Sequence, residues 1–471
     1  MIVTTGEKAD AVMPTESYGT CPSCQQQSTY YFWCASCEYR KYQDETPGWT
    51  SGNKVVDVVI KDVQRNAPSI FSFLEWIPHN KLRKIKPIRS GGHGTVYSAI
   101  WEDGPRDGPP SFSEESRKFK GLPQWLRRSS AKVVLKVISK SQKVSTDYFD
   151  ELRLFCRCAP DCESFDNFTL PHVLRIYGLS IEPSTKEIIV VMQYADQGDL
   201  YHSMSRTKMW PGDILALKNI AQGLSVIHRA NILHRNLHGG NILQHGKCLY
   251  VGDAGFHRHS ECSRKSSKGV YGIMPYVAPE VLRGEGYTKK ADIYSFGIIM
   301  WEILSCQRPF ADRAHDAALQ ADICKGARPP ITDKICKKCA ELIQKCWDPD
   351  PAKRPLADEV LNNLISLSVM MSPHFLPKGL EKPAPASGTR YKSRFITYLH
   401  SPDSLKRKAD ENLQVRRPPT VPLPSLPSNV ETNDDLLAAR TFVAKKIKEI
   451  RKYKKLRSGE KRDWNDQDFR M

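Results

Sequence analysis

The sequence predicts an α+β protein organised around one large domain, and three observations carry that prediction. Strand-like and helix-like apolar patterns alternate from about residue 75 to 370, which is the signature of mixed elements sharing a core. Before about residue 45 the chain offers two Cys pairs and little else that builds a core. After about residue 372 it turns to "PKGLEKPAPASG" and "RRPPTVPLPSLPSN", compositions that bury too little apolar surface to offset chain entropy. A length of 471 residues suits one large or two medium domains with tails, and a 40% hydrophobic content suits a core of ordinary size.

Composition excludes several classes. The opening "MIVTTGEKADAV" has no apolar run of signal-peptide length, and the longest run, "IIVVM" at Ile188–Met192, is too short to span a bilayer. An intracellular, cytoplasmic protein with no transmembrane segment is the expectation. Fourteen cysteines are then reduced thiols or metal ligands rather than a disulfide scaffold. The net charge of +18 is uneven: between Ser372 and Met471 basic residues exceed acidic ones by about 10.

The first element is "CPSCQQQSTYYFWCASC", which spaces Cys21, Cys24, Cys34 and Cys37 as C-x2-C-x9-C-x2-C. Two such knuckles bring four thiolates to the corners of a tetrahedron, the arrangement Zn2+ favours, and a segment this poor in core residues needs that bond to fold. A short zinc-ribbon-like module with its linker is expected over 1–50, with Tyr30–Trp33 as its miniature core. A second pair, "CKKC" at Cys336–Cys339, has no partner pair nearby and reads as ordinary helix packing.

Next comes "IRSGGHGTVYSAIW" at Ile88–Trp101, a hairpin whose turn glycines Gly91, Gly92 and Gly94 lack the Cβ that keeps amides away from phosphate oxygens. Gly104–Ser130 is rich in Pro, Gly, Ser and charge and reads as a long exposed connection. "AKVVLKVISK" follows as a strand with Lys136 inside an apolar run. A buried lysine requires an anionic partner, and Glu151 in the helical pattern "DYFDELRLFCRC" can supply it.

The order of the Gly-rich loop, "VVLK", Glu151, "HRNLHGGN", "GDAG" and "PYVAPE" resembles the protein kinase signature set. "VMQYADQGDL" resembles the segment joining the two lobes, "DIYSFGIIMWEIL" the buried central helix, and "CWDPDPAKRP" the closing segment whose Arg354 pairs with Glu280. The chain is most similar to the tyrosine-kinase-like Ser/Thr group, including fungal members with an N-terminal Cys-pair module. The resemblance implies a small β-rich lobe and a large helical lobe over 75–370.

It also implies roles. Lys136 would hold the ATP phosphates and be pinned by Glu151, with the loop glycines and Val96 covering the nucleotide; Asn241 and Asp253 would hold Mg2+. Met192 would stand behind the adenine, which the backbone of Gln193 to Ala195 would read. The hydroxyl side differs. Asn236 replaces the aspartate that takes the substrate proton, His238 stands where a lysine usually meets the γ-phosphate, and Ile273 stands where a threonine usually links them. Arg89 occupies the first of the loop glycines, and Ala254 replaces the bulky residue of the Asp-x-Gly turn.

Losing a catalytic group of this kind costs about 100- to 10,000-fold in rate. The expectation is therefore a nucleotide-binding protein in intracellular signalling, a pseudokinase or strongly impaired kinase acting through protein partners. The alternative is an active Ser/Thr kinase transferring the γ-phosphate to protein substrates, since phosphoryl transfer needs little early deprotonation.

The remaining features are weaker. His228, His234, His257 and His259 read as structural or surface residues, with His234 packed beneath the Asp253 turn. Ser263, Ser266, Ser267 and Tyr271 are phosphorylation candidates in a segment that reads first as a solvated loop. The tail, 371–471, reads as mostly disordered, with a basic amphipathic helix over 434–457. "LKRKADE" and "KKIKEIRKYKKLR" suit nuclear import, but no reader module accompanies the charge, so no specific nucleic-acid recognition is expected.

Overall fold

The run Ala131–Ile138 explains the first layer. Its residues alternate between two faces, as strand geometry requires, and both faces are covered. In this computed structural model, which describes residues 19–29, 33–91, 94–106, 127, 129–138, 146–156, 172–202, 214–253, 269–333, 335–370 and 386–399, that run is a central strand. The sheet holds β1 (Glu75–Trp76), β2 (Leu82–Gly91), β3 (Gly94–Trp101), β4 (Ala131–Ile138), β5 (Ile176–Ile181) and β6 (Ile188–Gln193) in the order β1-β5-β6-β4-β3-β2. Only the β1–β5 pair is parallel. Val133, Leu135, Ile189 and Val191 share one face with Trp101 and Ile77. Ile188, Val190 and Met192 take the other, in a core with α3 (Thr146–Cys156).

The N-terminal part is less separate than the sequence suggests. Helix α1 (Ala35–Glu45) starts at the Cys cluster, with Cys34 at its N-cap and Cys37 in its first turn, and α2 (Lys54–Arg65) follows it with Asn53 accepting from the Val55 and Val56 amides as its cap. Val56, Val59, Ile60 and Val63 recur at one helical face and join the main core with Leu152 and Phe155 of α3. Trp33, 1% exposed, packs edge-on to Phe73 and donates from Nε1 to the Ala67 carbonyl at 2.8 Å. Its core is thus shared with the sheet lobe. Tyr30–Phe32 lie outside the described residues.

The connection after β3 carries an unexpected buried charge. Arg106, 4% exposed, ion-pairs with Glu45 of α1 and lies 3.9 Å from Glu75 of β1, which also pairs with Arg127. The guanidinium sits 5.0 Å from the Tyr42 ring centroid. Ends of that segment therefore brace α1 against the sheet rather than standing in solvent.

The large lobe is helical. β7 (Gly198–Asp199) pairs with β8 (Ile242–His245), which pairs with β9 (Cys248–Val251). Helix α4 (Ile214–Arg229) packs on β9, and α5 (Pro279–Arg283), α6 (Lys289–Ser305), α7 (Ala317–Lys325), α8 (Lys337–Cys346) and α9 (Ala357–Met370) complete the lobe, α9 against α4 and α8 against α6. Helix α6 is buried on all sides from Ala291 to Ser305, as its largely apolar sequence requires, and its two carboxylates, Asp292 and Glu302, are buried with hydrogen-bond partners. Gly297 admits α8 at close range, since a Cβ there would sit 2.9 Å from Cys346 Cβ. Cys336 caps α8 and Cys339 is buried, which is the packing role expected of "CKKC".

One part of the tail departs from the disordered reading. Residues 386–399 lie against the large lobe, and β11 (Arg394–Thr397) pairs antiparallel with β10 (Gly269–Gly272). The amphipathic helix expected over 434–457 lies outside the described residues.

Candidate active site and metal centre

The loop from Asn231 to Asn241 runs beneath the sheet lobe, and a buried carboxylate fixes its path. Asp292 of α6, 1% exposed, accepts the His234 amide at 2.8 Å, the Arg235 amide at 2.9 Å and the His228 ring at 3.0 Å. These bonds hold Arg235 at φ 66°, a left-handed conformation that costs an L-residue about 1 kcal/mol. His234 is fully buried, and burial pushes its pKa down, which keeps the ring neutral. Its Nε2–H donates to the Gly252 carbonyl at 2.9 Å while Nδ1 accepts the Asn236 amide at 3.3 Å. His234 thus ties the loop to the Asp253 turn, the packing role expected of it. His257 and His259 lie outside the described residues.

Of the candidates expected on the nucleotide side, Lys136 and Asp253 meet directly. Lys136 of β4 lies opposite Val96 of β3 and Val190 of β6 and forms an ion pair with Asp253. Glu151 of α3, expected opposite Lys136, accepts from Arg235 at 3.2 Å. Asp253 adopts φ 62°, which turns the chain sharply after β9. Asn241 donates from Nδ2 to the Asn236 carbonyl at 2.8 Å, which leaves its Oδ1 as an acceptor. Met192 and Gln193 end β6, two positions before Ala195. Gly91 and Gly94 pair across the loop turn; Gly92 lies outside the described residues, as does Ala254.

The residues expected on the hydroxyl side meet a segment that the sequence did not point to. His238, 3% exposed, accepts the Gly240 amide at Nδ1 at 3.0 Å, so its neutral ring carries the proton on Nε2. That Nε2 lies 3.2 Å from Ser393 Oγ, and the Ser393 hydroxyl donates to Asn236 Oδ1 at 3.4 Å. Ile273 is buried at the start of the turn Met274–Tyr276 and carries no hydroxyl. An amide oxygen and an imidazole N–H therefore flank this serine, and in this arrangement neither atom takes the serine proton. The sequence reading missed Ser393 because "SRFIT" is a short run inside a Pro-rich, basic context.

The four cysteines converge. Their sulfurs all lie within 4.8 Å of one another, with Cys21–Cys37 at 3.8 Å and Cys24–Cys34 at 3.4 Å. A zinc tetrahedron with bonds of about 2.3 Å spaces its sulfurs about 3.8 Å apart, so the donor set fits that ion. The Gln26 amide draws the Cys24 thiol down to about 7, while burial pushes Cys37 up to about 12.

A family model of protein tyrosine and serine/threonine kinases matches residues 82–364, well over half of the chain. The chain belongs to this protein kinase family. A probable serine/threonine-protein kinase of Dictyostelium discoideum is 32% identical over 320 residues, covering 64% of this chain and 16% of the relative. A second from that organism is 30% identical over 299 residues, covering 62% and 28%. A Dictyostelium discoideum dual specificity protein kinase is 30% identical over 273 residues, covering 55% and 38%. The chain spans less than two-fifths of the length of each of these relatives.

Within the kinase domain the sheet lobe and helical lobe are those of the two-lobed kinase fold. Arg354 and Glu280 form the buried bidentate pair that the resemblance implied, at 2.6 and 2.8 Å. Kinase domains of this family use ATP with Mg2+. Among the described residues no helix is long and apolar enough to cross a membrane.

Proposed function

We propose that this kinase domain binds MgATP and transfers phosphate only very slowly, acting in intracellular signalling chiefly as a nucleotide-dependent scaffold or switch of the tyrosine-kinase-like group. The observation that carries this reading is Asn236. It is buried, fixed by its neighbours, and faces a serine hydroxyl with an amide oxygen that cannot accept the proton. His238 offers a hydrogen-bond donor in place of a cation, and Ile273 offers no polar atom.

On the nucleotide side, Lys136 would meet the phosphates, Asn241 Oδ1 and the Asp253 carboxylate would hold Mg2+, and Met192 to Ala195 would bound the adenine. Both metal candidates are oxygen donors, which suits that hard cation. The Mg2+ would neutralise phosphate charge when bound. The four cysteines would hold one Zn2+ as a structural ion of residues 19–45, and the chain would divide into the Cys module at 1–50, the kinase domain at 75–370 and a basic tail.

The expected result is that wild type binds a fluorescent ATP analogue in the presence of Mg2+, that Lys136→Ala weakens this binding at least about tenfold, and that wild type phosphorylates a generic protein substrate at least about 100-fold more slowly than Asn236→Asp. Transfer by wild type at an ordinary kinase rate, abolished by Asp253→Ala, would instead establish the active-kinase alternative.

A further inference from the structure

Residues 386–399 do more than cover a surface. Their strand β11 extends β10, with Gly269, Val270, Tyr271 and Gly272 in register with Thr397, Ile396, Phe395 and Arg394. The approach is so close that a Cβ on Gly269 would lie 2.2 Å from the Ile396 carbonyl oxygen, so only glycine admits the strand there. Ile396 is 4% exposed and joins the core beside Val270. The segment is also held at both ends: the Ala386 amide donates to the Ala311 carbonyl at 2.8 Å and the Leu399 amide to the Leu282 carbonyl at 3.0 Å. Between these anchors, Gln320 of α7 donates to the Thr397 carbonyl at 2.8 Å.

From Arg390 to Ser393 the side chains alternate as in a strand-addition peptide. Tyr391 lies beneath the Arg308 guanidinium, 4.0 Å from its ring centroid, and Ser393 turns to Asn236 and His238, while Arg390 and Lys392 are exposed. A serine hydroxyl on an extended chain thus meets the loop that, in the reading proposed above, handles the acceptor.

We propose that residues 386–399 are a tethered pseudosubstrate, seated by strand addition in an acceptor-peptide groove between β10, α7 and the Asn236 loop, with Ser393 in the place of the acceptor hydroxyl. The groove takes an extended peptide with an aromatic residue two before the serine and a β-branched apolar residue three after it. The inference rests on the assignment of Asn236 to the acceptor side. Main-chain bonds supply the affinity and the Tyr391 and Ile396 sites the selectivity. An intramolecular copy competes at an effective concentration on the order of millimolar, so a peptide in trans meets a filled groove.

A fluorescein-labelled peptide of residues 386–399, titrated by fluorescence polarisation onto the full chain, tests this. Ile396→Asp in the chain is expected to release the strap and tighten binding of the added peptide at least about tenfold over wild type. Phe395→Pro, which removes a main-chain donor from the same strand without adding charge, is expected to do the same. Adding Gly269→Ala to either variant is expected to abolish binding. A peptide carrying Ser393→Trp is expected not to bind, because the indole would meet the Asn236 loop.

Equal binding to wild type and both strap variants, or none to any of them, would overturn the strap; undiminished binding of the tryptophan peptide would overturn the register at Ser393. These readouts use no phosphotransfer, so they stand apart from the reading of Asn236. Phosphate found on Ser393 of wild type under MgATP would overturn the pseudosubstrate assignment and the impaired-transfer reading together.

Discussion

Cys34→Ser is expected to abolish stoichiometric zinc retention and to unfold residues 19–45. Apparent zinc affinities in structural four-ligand sites correspond to about 10–16 kcal/mol, comparable to or larger than the stability of an entire domain. Little else holds the segment among the described residues: Trp33 and Tyr42 join the aromatic core with Phe73, Trp33 donates to the Ala67 carbonyl, and Glu45 pairs with Arg106. Loss of one thiolate should therefore release α1 and, through the Arg106 pair with Glu45, loosen the sheet edge at Glu75. Metal analysis combined with hydrogen exchange across α1 checks this. Full protection of α1 in metal-free protein would contradict it.

Arg354→Ala is expected to destabilise the helical lobe by about 3–5 kcal/mol, the usual result of stranding one member of a buried ion pair. The Arg354 side chain is fully buried, forms two bonds with Glu280, and also donates to the Asp348 carbonyl at 2.9 Å and the Lys290 carbonyl at 2.9 Å. Its removal leaves a buried carboxylate and two carbonyls without these donors. Glu280→Gln should cost less, since the amide still accepts from the guanidinium. Chemical denaturation of both variants gives the comparison, and near-equal stability of Arg354→Ala and wild type would refute the argument.

Sequence alone carried the architecture far because its elements are long or chemically singular. The largely apolar helix of Ala291–Ser305, the "VVLK" strand and the paired cysteines each admit few alternatives. Apart from the Arg354–Glu280 pair, which the resemblance implied, contacts between remote segments were not legible. Asp253 opposite Lys136, and Arg235 opposite Glu151, follow from how the lobes and the Asp253 turn meet, which no local pattern encodes. The helix at Lys54–Arg65 did carry a readable signal, the spacing Val56, Val59, Ile60, Val63 behind an Asn cap. The strand at Arg394–Thr397 carried almost none, since four residues in a Pro-rich context specify no partner; its seat is defined by Gly269 and the exposed edge of β10, both over a hundred residues away. Asn236 is the reverse case. Its departure from the kinase pattern is visible in the sequence, but the hydroxyl it faces is visible only in the fold.

Phosphate transfer to a generic protein substrate by full-length wild type and by Asn236→Asp, each also measured with Ile396→Asp to empty the groove, tests the central claim most directly. The account predicts that Asn236→Asp transfers at least about 100-fold faster than wild type, because the substitution restores a carboxylate where the acceptor hydroxyl is held. Wild-type transfer that equals or exceeds that of Asn236→Asp, and that disappears in Asp253→Ala, would contradict it.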